Sequence, residues 1–355
     1  MQLYIWRFKG EDQIRVFAMT RLVMGNKPSA NSSQIALKET AFLNDNAVCY
    51  PEAKKTLVEN SYVDNSFTIA DDVQSIHKNI EEIEAVAATG GFYYKPWIIS
   101  GQDIDDKAIT SPDIEDERAL GVFWDVKNDK FYIKVSVGSK KRKISLSLFS
   151  YQENPQLKLT LRDCLSLHSK AFDPLGMILP VKMIGNLLFR QTIQFLSHQA
   201  KTDDKPTSKL PWDKEVSGVI KDRWLEYFSM LDSVKDVKFR RSIKPDNVDP
   251  DVRPHLATFS DGNENSFGCV AYALWTLKDG SMEARLIMSK AKLGPLLAKG
   301  ETVKNELAGA TYAARLKTWI IQNTGIYYDK HYPFLDSRIV QDIVHTFSIA
   351  LHLHN

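Results

Sequence analysis

The chain of 355 residues has little cysteine and no long apolar run. Its three cysteines, Cys49, Cys164 and Cys269, are odd in number and far apart. This spacing argues against a disulfide framework or a cysteine-based zinc site, and it favours a reducing compartment. No apolar stretch reaches the roughly 18 residues that a membrane-spanning helix needs, and the start of the chain is too polar for a signal peptide. These absences predict a protein without a membrane span or a secretory leader.

No charge of one sign dominates the chain, whose net charge is +2. A nucleic-acid-binding protein needs local basic patches rather than a large total charge, and the runs 140–143 and 238–241 qualify. The candidate phosphate contacts in these runs are Lys140, Lys141, Arg142, Lys143, Arg240 and Arg241. Runs of this kind are more often solvated surface, so both interpretations stay open.

Three acidic residues in the last third stand where a carboxylate is structurally unexpected. Asp261 and Asp336 each end a short apolar run that predicts a strand, and Glu306 lies on an otherwise apolar predicted helix. A carboxylate among apolar neighbours is costly to bury unless it is paired or metal-bound. Singly, each acid is better explained as a surface or capping residue. Together they predict a site for two Mg²⁺ ions that drives phosphodiester hydrolysis, with all three acids as metal ligands and catalytic residues.

Hydrophobic periodicity predicts an α/β (α+β) protein with three regions, 1–150, 151–250 and 251–355. The first region alternates short strands and helices, with a hairpin over 4–19. The second is mostly helical and ends in a proline-rich linker over 245–254. From residue 255 the predicted order is strand, strand, strand, helix, strand, helix, so Asp261 and Asp336 can meet if the first and fourth strands are neighbours.

An ordered set of motifs in the first region resembles the second half of a reverse-transcriptase polymerase domain. Residues 19–29, which include Lys27, resemble the segment that packs against template and incoming nucleotide. Tyr62-Val-Asp-Asn65 resembles the catalytic hairpin, Lys95 resembles a lysine near the triphosphate, and Phe123-Trp124 resembles the primer-gripping strands. The resemblance implies that Lys27 and Lys95 contact nucleic acid.

Later blocks resemble retrotransposons of the BEL/Pao class. The most diagnostic is Phe172-Asp-Pro-Leu-Gly-Met-Ile-Leu-Pro180, which resembles their connector after the polymerase, and Phe259 to Tyr272 resembles the start of their ribonuclease H domain. The resemblance spans about residues 4–350. It implies a partial reverse-transcriptase palm and thumb, a helical connector and a truncated ribonuclease H-like mixed-sheet domain.

Two departures from the family pattern limit the implied activity. The second aspartate of the polymerase hairpin is Asn65 here, and the aspartate expected from an earlier strand precedes the start of the chain, so Asp64 alone remains of three carboxylates. We therefore expect a degenerate polymerase site. The ribonuclease H region keeps three of four expected acids, because the fourth belongs to a helix later than residue 355.

The resemblance implies a Mg²⁺-dependent enzyme that cuts RNA in an RNA–DNA hybrid, located in the cytoplasm, in virus-like particles or in the nucleus. The alternative is a non-catalytic relic or a co-opted nucleic-acid-binding fragment. An integrase or transposase core shares the trio of acids but not the polymerase-like first region. An aspartic peptidase is excluded because no Asp-Thr-Gly or Asp-Ser-Gly triplet occurs. The partner is nucleic acid and not a membrane, and the oligomeric state is left open.

Overall fold

The computed structural model describes residues 3–23, 25–63, 65–70, 72–100, 117–135, 158–202, 212–295 and 302–343. The chain divides into two compact units, Met1–Glu115 and Asp116–Asn355. Both units mix helices and strands, which confirms the predicted α/β class. The region boundaries at residues 150 and 250 stay a prediction. Across the ranges given above, no helix has the length and apolarity to span a membrane.

The first unit begins with the predicted hairpin, in which β1 (Leu3–Trp6) pairs antiparallel with β2 (Arg15–Ala18). A small helical core follows, with Leu57 and Ile83 fully buried within it. The helices are α1 (Ser29–Thr40), α2 (Asn46–Cys49), α3 (Pro51–Glu59) and α4 (Val73–Thr89). Between α3 and α4 the short strands β3 (Ser61–Tyr62) and β4 (Asn65–Ser66) form a second hairpin, as the sequence predicts.

The second unit opens with a four-stranded antiparallel sheet. Its strands are β5 (Glu117–Ala119), β6 (Val122–Asp125), β7 (Lys130–Tyr132) and β8 (Lys238–Arg240). The sequence predicts paired strands over 120–124 and 131–137 around the turn at Lys127-Asn-Asp129, which β6 and β7 match, whereas β8 coincides with the basic run 238–241 and is not predicted. Lys238 donates to Asp125 at 2.6 Å and lies 5.5 Å from the ring centroid of Tyr132. Asp125 of β6 and Tyr132 of β7 therefore hold the basic strand β8, which is distant in sequence.

A helical connector forms the main core of the second unit. Its helices are α5 (Leu161–Ser169), α6 (Leu179–Thr202) and α7 (Gly218–Ser233). α5 begins with a capping box, because the Thr160 side chain accepts from the Asp163 backbone N–H while the Asp163 carboxylate accepts from the Thr160 N–H. Trp224 and Phe228 of α7 are fully buried against the neighbouring helices.

Apolar periodicity in the sequence predicts one helix from Trp212 to Leu231, but its start is wrong: α7 begins at Gly218, because the residues before Gly218 pair with another segment. The backbone N–H of Val216 donates to Leu159 at 2.7 Å, and the N–H of Arg162 donates to Trp212 at 2.9 Å. This strand-like pairing ties the entrance of α7 to the entrance of α5. A backbone group engaged across two segments is not available for a helical turn.

A buried histidine lies in this connector. His168 is 6% exposed, and its ring nitrogens lie 2.7 Å from the Tyr227 hydroxyl and 2.9 Å from Asn186 Oδ1. Burial lowers the pKa of His168, the hydrogen bond that His168 donates to Asn186 opposes this effect, and nearby Lys182 adds to it. The folded protein therefore holds a neutral imidazole.

The connector is expected to lose stability in mild acid. Because the folded-state pKa of His168 is lowered, the unfolded chain binds more protons below its ordinary pKa of about 6.5. The contribution of neutral His168 to the free energy of unfolding should therefore be fully present above that pH, and it should decrease as the pH falls below it. Urea unfolding at about pH 7.5 and about pH 5.5 measures the loss. His168→Gln, which cannot titrate, should show a smaller difference. An unchanged difference would assign it to another group, such as His331, whose pKa is also lowered by burial.

The final domain is a four-stranded mixed sheet covered by one long helix. The strands are β9 (His255–Gly262), β10 (Ser266–Thr276), β11 (Met282–Leu293) and β12 (His331–Leu335), and the helix is α8 (Thr302–Asn323). The sheet order is β11-β10-β9-β12, with β12 parallel to β9 and the other pairs antiparallel. The first and fourth strands of this domain are therefore neighbours, which is the condition under which Asp261 and Asp336 can meet.

The segment predicted as a linker over 245–254 packs along the end of β10. Val248 is 7% exposed and belongs to the core beneath α8. The N–H of Asp249 donates to Thr276 at 3.0 Å, and the N–H of Lys278 donates to Asn247 at 3.0 Å. Residues 247–249 therefore pair with the end of β10 through backbone hydrogen bonds and extend the sheet there.

The Phe172–Pro180 block joins the connector to the edge strand β11. Asp173 accepts from the backbone N–H groups of Met177 and Ile178 at 2.8 and 3.0 Å, which fixes a tight turn before α6. The N–H of Ser289 on β11 donates to Leu175 at 2.9 Å, and Gly176 lies in contact with the same serine. The block that is most diagnostic in sequence is therefore a docking turn.

Candidate functional site

The two strand-end aspartates lie at neighbouring positions of the sheet. In the parallel pair β9–β12, Leu335 is opposite Ser260, so Asp336 and Asp261 are the next residues on each strand. Two positions earlier, Phe334 is opposite Phe259, and their rings stack at 4.5 Å with planes 9° apart. The stacked rings fix this register, and the carboxyl ends of the two strands therefore carry the two acids at one edge.

Helix α8 approaches the end of β9 closely enough to exclude side chains there. A Cβ at Gly262 would collide with the backbone of Asn305 and Glu306, and one at Gly309 would lie 2.8 Å from the carbonyl oxygen of Asp261. Glycine at both positions permits this approach. The backbone of Glu306 is therefore in contact with the residue that follows Asp261.

Asn305, the residue before Glu306, holds the start of α8 in place. It is 1% exposed, and its side-chain N–H donates to the Asn263 carbonyl at 2.6 Å. Its amide also packs on Gly294 after β11. From the other side, Arg190 of α6 donates to the carbonyls of Asn265 and Gly294 at 3.2 and 2.6 Å. Sequence reasoning missed both residues, because an Asn and an Arg within helices carry no distinctive signal.

The three acids differ in exposure and have a favourable electrostatic position. Asp261 and Asp336 are exposed, and Glu306 is half-buried. Asp261 Oδ1 accepts a hydrogen bond from the Gly262 N–H at 2.6 Å. The end of β9 also lies beside the first turns of α8, where the positive end of the helix dipole favours carboxylates.

The chemistry of the donor set fits a hard divalent cation, because Mg²⁺ prefers carboxylate oxygens. Within the described ranges, however, no group of three or more His, Cys, Asp or Glu side chains lies close enough together to hold a metal ion. The elements that carry the trio converge on one end of the sheet. The assignment of Asp261, Glu306 and Asp336 as ligands and catalytic residues stays a prediction.

The polymerase-like hairpin is firmly held in the first unit. Tyr62 pairs with Asn65, and behind them the hydroxyls of Ser61, Ser66 and Tyr94 form a chain with distances of 2.7 and 2.8 Å. Burial raises the pKa of Tyr94. Asp64 lies outside the described residues. Asn65 is half-buried at the start of β4, so the neutral amide occupies the position of the expected second carboxylate.

The basic candidates fall into three groups. Lys27 and Lys95 are exposed in the first unit. Arg240 is exposed and lies 3.8 Å from Asp246, whereas Arg241 donates to both carboxylate oxygens of Asp129 at 2.6 and 3.0 Å and lies 5.8 Å from the Trp124 ring centroid. Arg241 thus ties the β5–β8 sheet together. The third group, Lys140, Lys141, Arg142 and Lys143, lies outside the described residues.

Comparisons with known proteins bear on most of the second unit. A family model described as "Pao retrotransposon-like RNaseH-like domain" matches residues 160–337, from the capping box of α5 to the residue after Asp336. No curated protein matches the chain. A solved foamy viral protease-reverse transcriptase in complex with dsDNA is similar, with a TM-score of 0.45, 13% identity, and coverage of 95% of this chain and 56% of that chain.

The family match takes in the connector helices, the docking turn, the mixed sheet and α8, and it ends at the strand whose register brings the two aspartates together. The connector and the sheet therefore form one matched region. On this evidence the chain belongs to the Pao retrotransposon-like RNaseH-like domain family.

Proposed function

We propose that the RNaseH-like domain is a Mg²⁺-dependent nuclease that cuts the RNA strand of an RNA–DNA hybrid. One observation carries the proposal: the parallel register of β9 and β12 puts Asp261 and Asp336 side by side, with the backbone of Glu306 against the adjacent Gly262. Carboxylates from two strands and a helix are three of the four acids that such chemistry is expected to use. Asp261, Glu306 and Asp336 would hold two Mg²⁺ ions.

When bound, the two ions supply charge neutralisation for both the attacking and the leaving oxygens of a phosphodiester. The chain's own residues would supply the ligand oxygens. Gly262 and Gly309 allow the helix to approach the strand end, and Asn305 prevents the first turns of α8 from moving away. These contacts would hold the backbone that carries the three acids in place before substrate arrives.

The charge of the second unit supports a nucleic-acid substrate. Lys and Arg outnumber Asp and Glu in the second unit, while the reverse holds in the first unit. A basic domain is attracted to phosphate backbones without regard to base sequence. Discrimination of the RNA strand would depend on 2′-hydroxyls and duplex shape.

The direct test uses the purified chain and a hybrid whose RNA strand carries an end label. With Mg²⁺ we expect shorter labelled RNA and an intact DNA strand, and a chelator should abolish the products. The same RNA as a single strand and as an RNA duplex provides the specificity control. Absence of RNA products from protein that circular dichroism shows to be folded would contradict the proposal.

A second candidate is a nucleic-acid-binding domain without catalysis. The observation that favours it is that the described residues contain no ready-made group of three metal-binding side chains. This candidate predicts that the chain binds hybrid with an affinity that does not depend on Mg²⁺ and leaves the RNA uncut. Binding and cleavage measured on the same labelled hybrid therefore separate the two functions.

The polymerase-like unit is expected to make no DNA. An amide at Asn65 is a neutral and weaker metal ligand than a carboxylate, so a two-ion site for nucleotide addition is incomplete. Extension of a labelled primer on an RNA template, with all four deoxynucleotides, measures this. Detectable incorporation by the wild-type chain would contradict the expectation. Asn65→Asp provides the matched variant, which restores the charge at the half-buried position.

A further inference from the structure

The outer side of α8 carries a shallow groove of about 380 Å³ that the proposed site does not use. The groove is lined by Thr311, Ala314, Arg315, Thr318, Trp319 and Gln322. These residues recur at spacings of three and four and therefore form one continuous stripe along the helix. Trp319 is 45% exposed, which is unusual for so large an apolar side chain.

The charged residues that the structure describes at the groove, Arg315 and Lys290, are both basic. Lys290 of β11 places its ammonium group 5.8 Å from the Trp319 ring centroid, and Arg315 lies one turn away on the same stripe. Helix α8 carries no acidic residue after Glu306. Among the described residues, no ion pair involves Arg315 or Lys290. Lys290, over the exposed indole, and Arg315 are therefore both exposed cations without an ion-pair partner in the part of the chain that the structure describes.

This combination matches the chemistry of a nucleic-acid strand. Proteins that hold single strands without sequence preference combine a basic groove for phosphates with aromatic rings on which bases stack. An acidic peptide would satisfy the cations but would leave the flat face of the indole without a matching surface. A base or a sugar ring covers that face, and the adjoining phosphates neutralise both cations.

We propose that the groove on α8 binds one strand of nucleic acid, with a nucleotide against Trp319 and phosphates at Arg315 and Lys290. Arg315 follows Glu306 by nine residues, which corresponds to about 14 Å along a helix. At roughly 3.6 residues per turn, nine residues also turn the helix by about half a revolution, so the groove lies on the face opposite Glu306 and is separate from the candidate site. The choice of an RNA–DNA hybrid as the relevant ligand rests on the proposed function, whereas strand binding itself does not.

The test measures binding of fluorescent single strands and hybrid to the full chain, in the absence of Mg²⁺ so that no cutting occurs. Trp319→Ala is expected to raise the Kd by about tenfold or more, because stacking on an aromatic ring contributes strongly to such binding. Trp319→Phe should restore most of the affinity. Arg315→Gln should remove one phosphate contact, so the plot of log binding constant against log salt should become less steep by about 0.7 to 0.9.

Lys317→Gln is the matched control, since it removes the same charge two residues away on the same helix but outside the groove lining. Equal losses of affinity in Arg315→Gln and Lys317→Gln would overturn the proposed groove site, because they would show that binding depends on the overall charge of the helix. Unchanged affinity in folded Trp319→Ala, or a change only in self-association, would also overturn it. If binding depends on the groove but no RNA is cut, only the proposed nuclease is refuted. If RNA is cut and both groove variants, Trp319→Ala and Arg315→Gln, bind as the wild type does, only the proposed groove site is refuted.

Discussion

Replacing Asp261 with Asn is expected to lower the rate of RNA cleavage about a thousandfold or more, while hybrid binding changes little. The substitution keeps the shape of the side chain and removes its charge. Loss of one carboxylate from a two-ion site forfeits several kcal/mol of transition-state stabilisation, and each 1.4 kcal/mol corresponds to about tenfold in rate. The side chain is exposed, so the folded state should tolerate the change.

Glu264→Gln provides the charge-matched control, because Glu264 is an exposed acid three residues after Asp261 at the same end of the sheet. It should cleave at the wild-type rate. Thermal unfolding of both variants separates a catalytic effect from a folding effect. Equal cleavage by wild type and Asp261→Asn would refute the assignment of the site, whatever the stability of the variant.

Replacing Gly176 with Ala is expected to destabilise the second unit by about 2 to 5 kcal/mol. Gly176 has a φ of +74°, a left-handed conformation that costs an L-residue roughly 1–2 kcal/mol. An added Cβ would also collide with the backbone carbonyl of Ser289, and overpacking of this kind costs about 1–3 kcal/mol. The docking turn would then lose its contact with β11.

Gly280→Ala isolates the conformational part of this cost. Gly280 has a φ of +82°, and an added Cβ there would meet nothing within 4 Å. Urea unfolding should therefore show a smaller loss for Gly280→Ala than for Gly176→Ala. Equal losses would mean that the contact with Ser289 contributes nothing and that strain in the turn accounts for the whole effect.

The sheet that carries the candidate site follows from local patterns in the sequence. Strand-like apolar runs predict β9, β10 and β11, and in β10 every second residue is buried. The acids at the ends of β9 and β12 interrupt apolar runs and are therefore conspicuous. The sequence also places Glu306 near the start of α8, since an acid is unexpected on an apolar helix.

Other features depend on contacts between distant segments and leave no local signal. β8 contains only Lys238, Phe239 and Arg240, and it becomes a strand because β7 offers a partner edge. The start of α7 depends on backbone pairing with the residues around Leu159. The buried Asn305 cannot be told from an exposed Asn until the loop after β9 is known to lie against it.

The pairing of β8 with β7 has a consequence for the order of folding. Arg241 and Asp129, which close this sheet, are 112 residues apart in the chain. During synthesis the β5–β7 meander is made long before its last strand, so its edge stays open while the connector helices emerge. Contacts between such distant residues slow folding, and an open edge invites pairing with another chain. We therefore expect completion of this sheet to be a late folding step, and mutations that weaken β8 to promote aggregation during refolding more than they lower equilibrium stability.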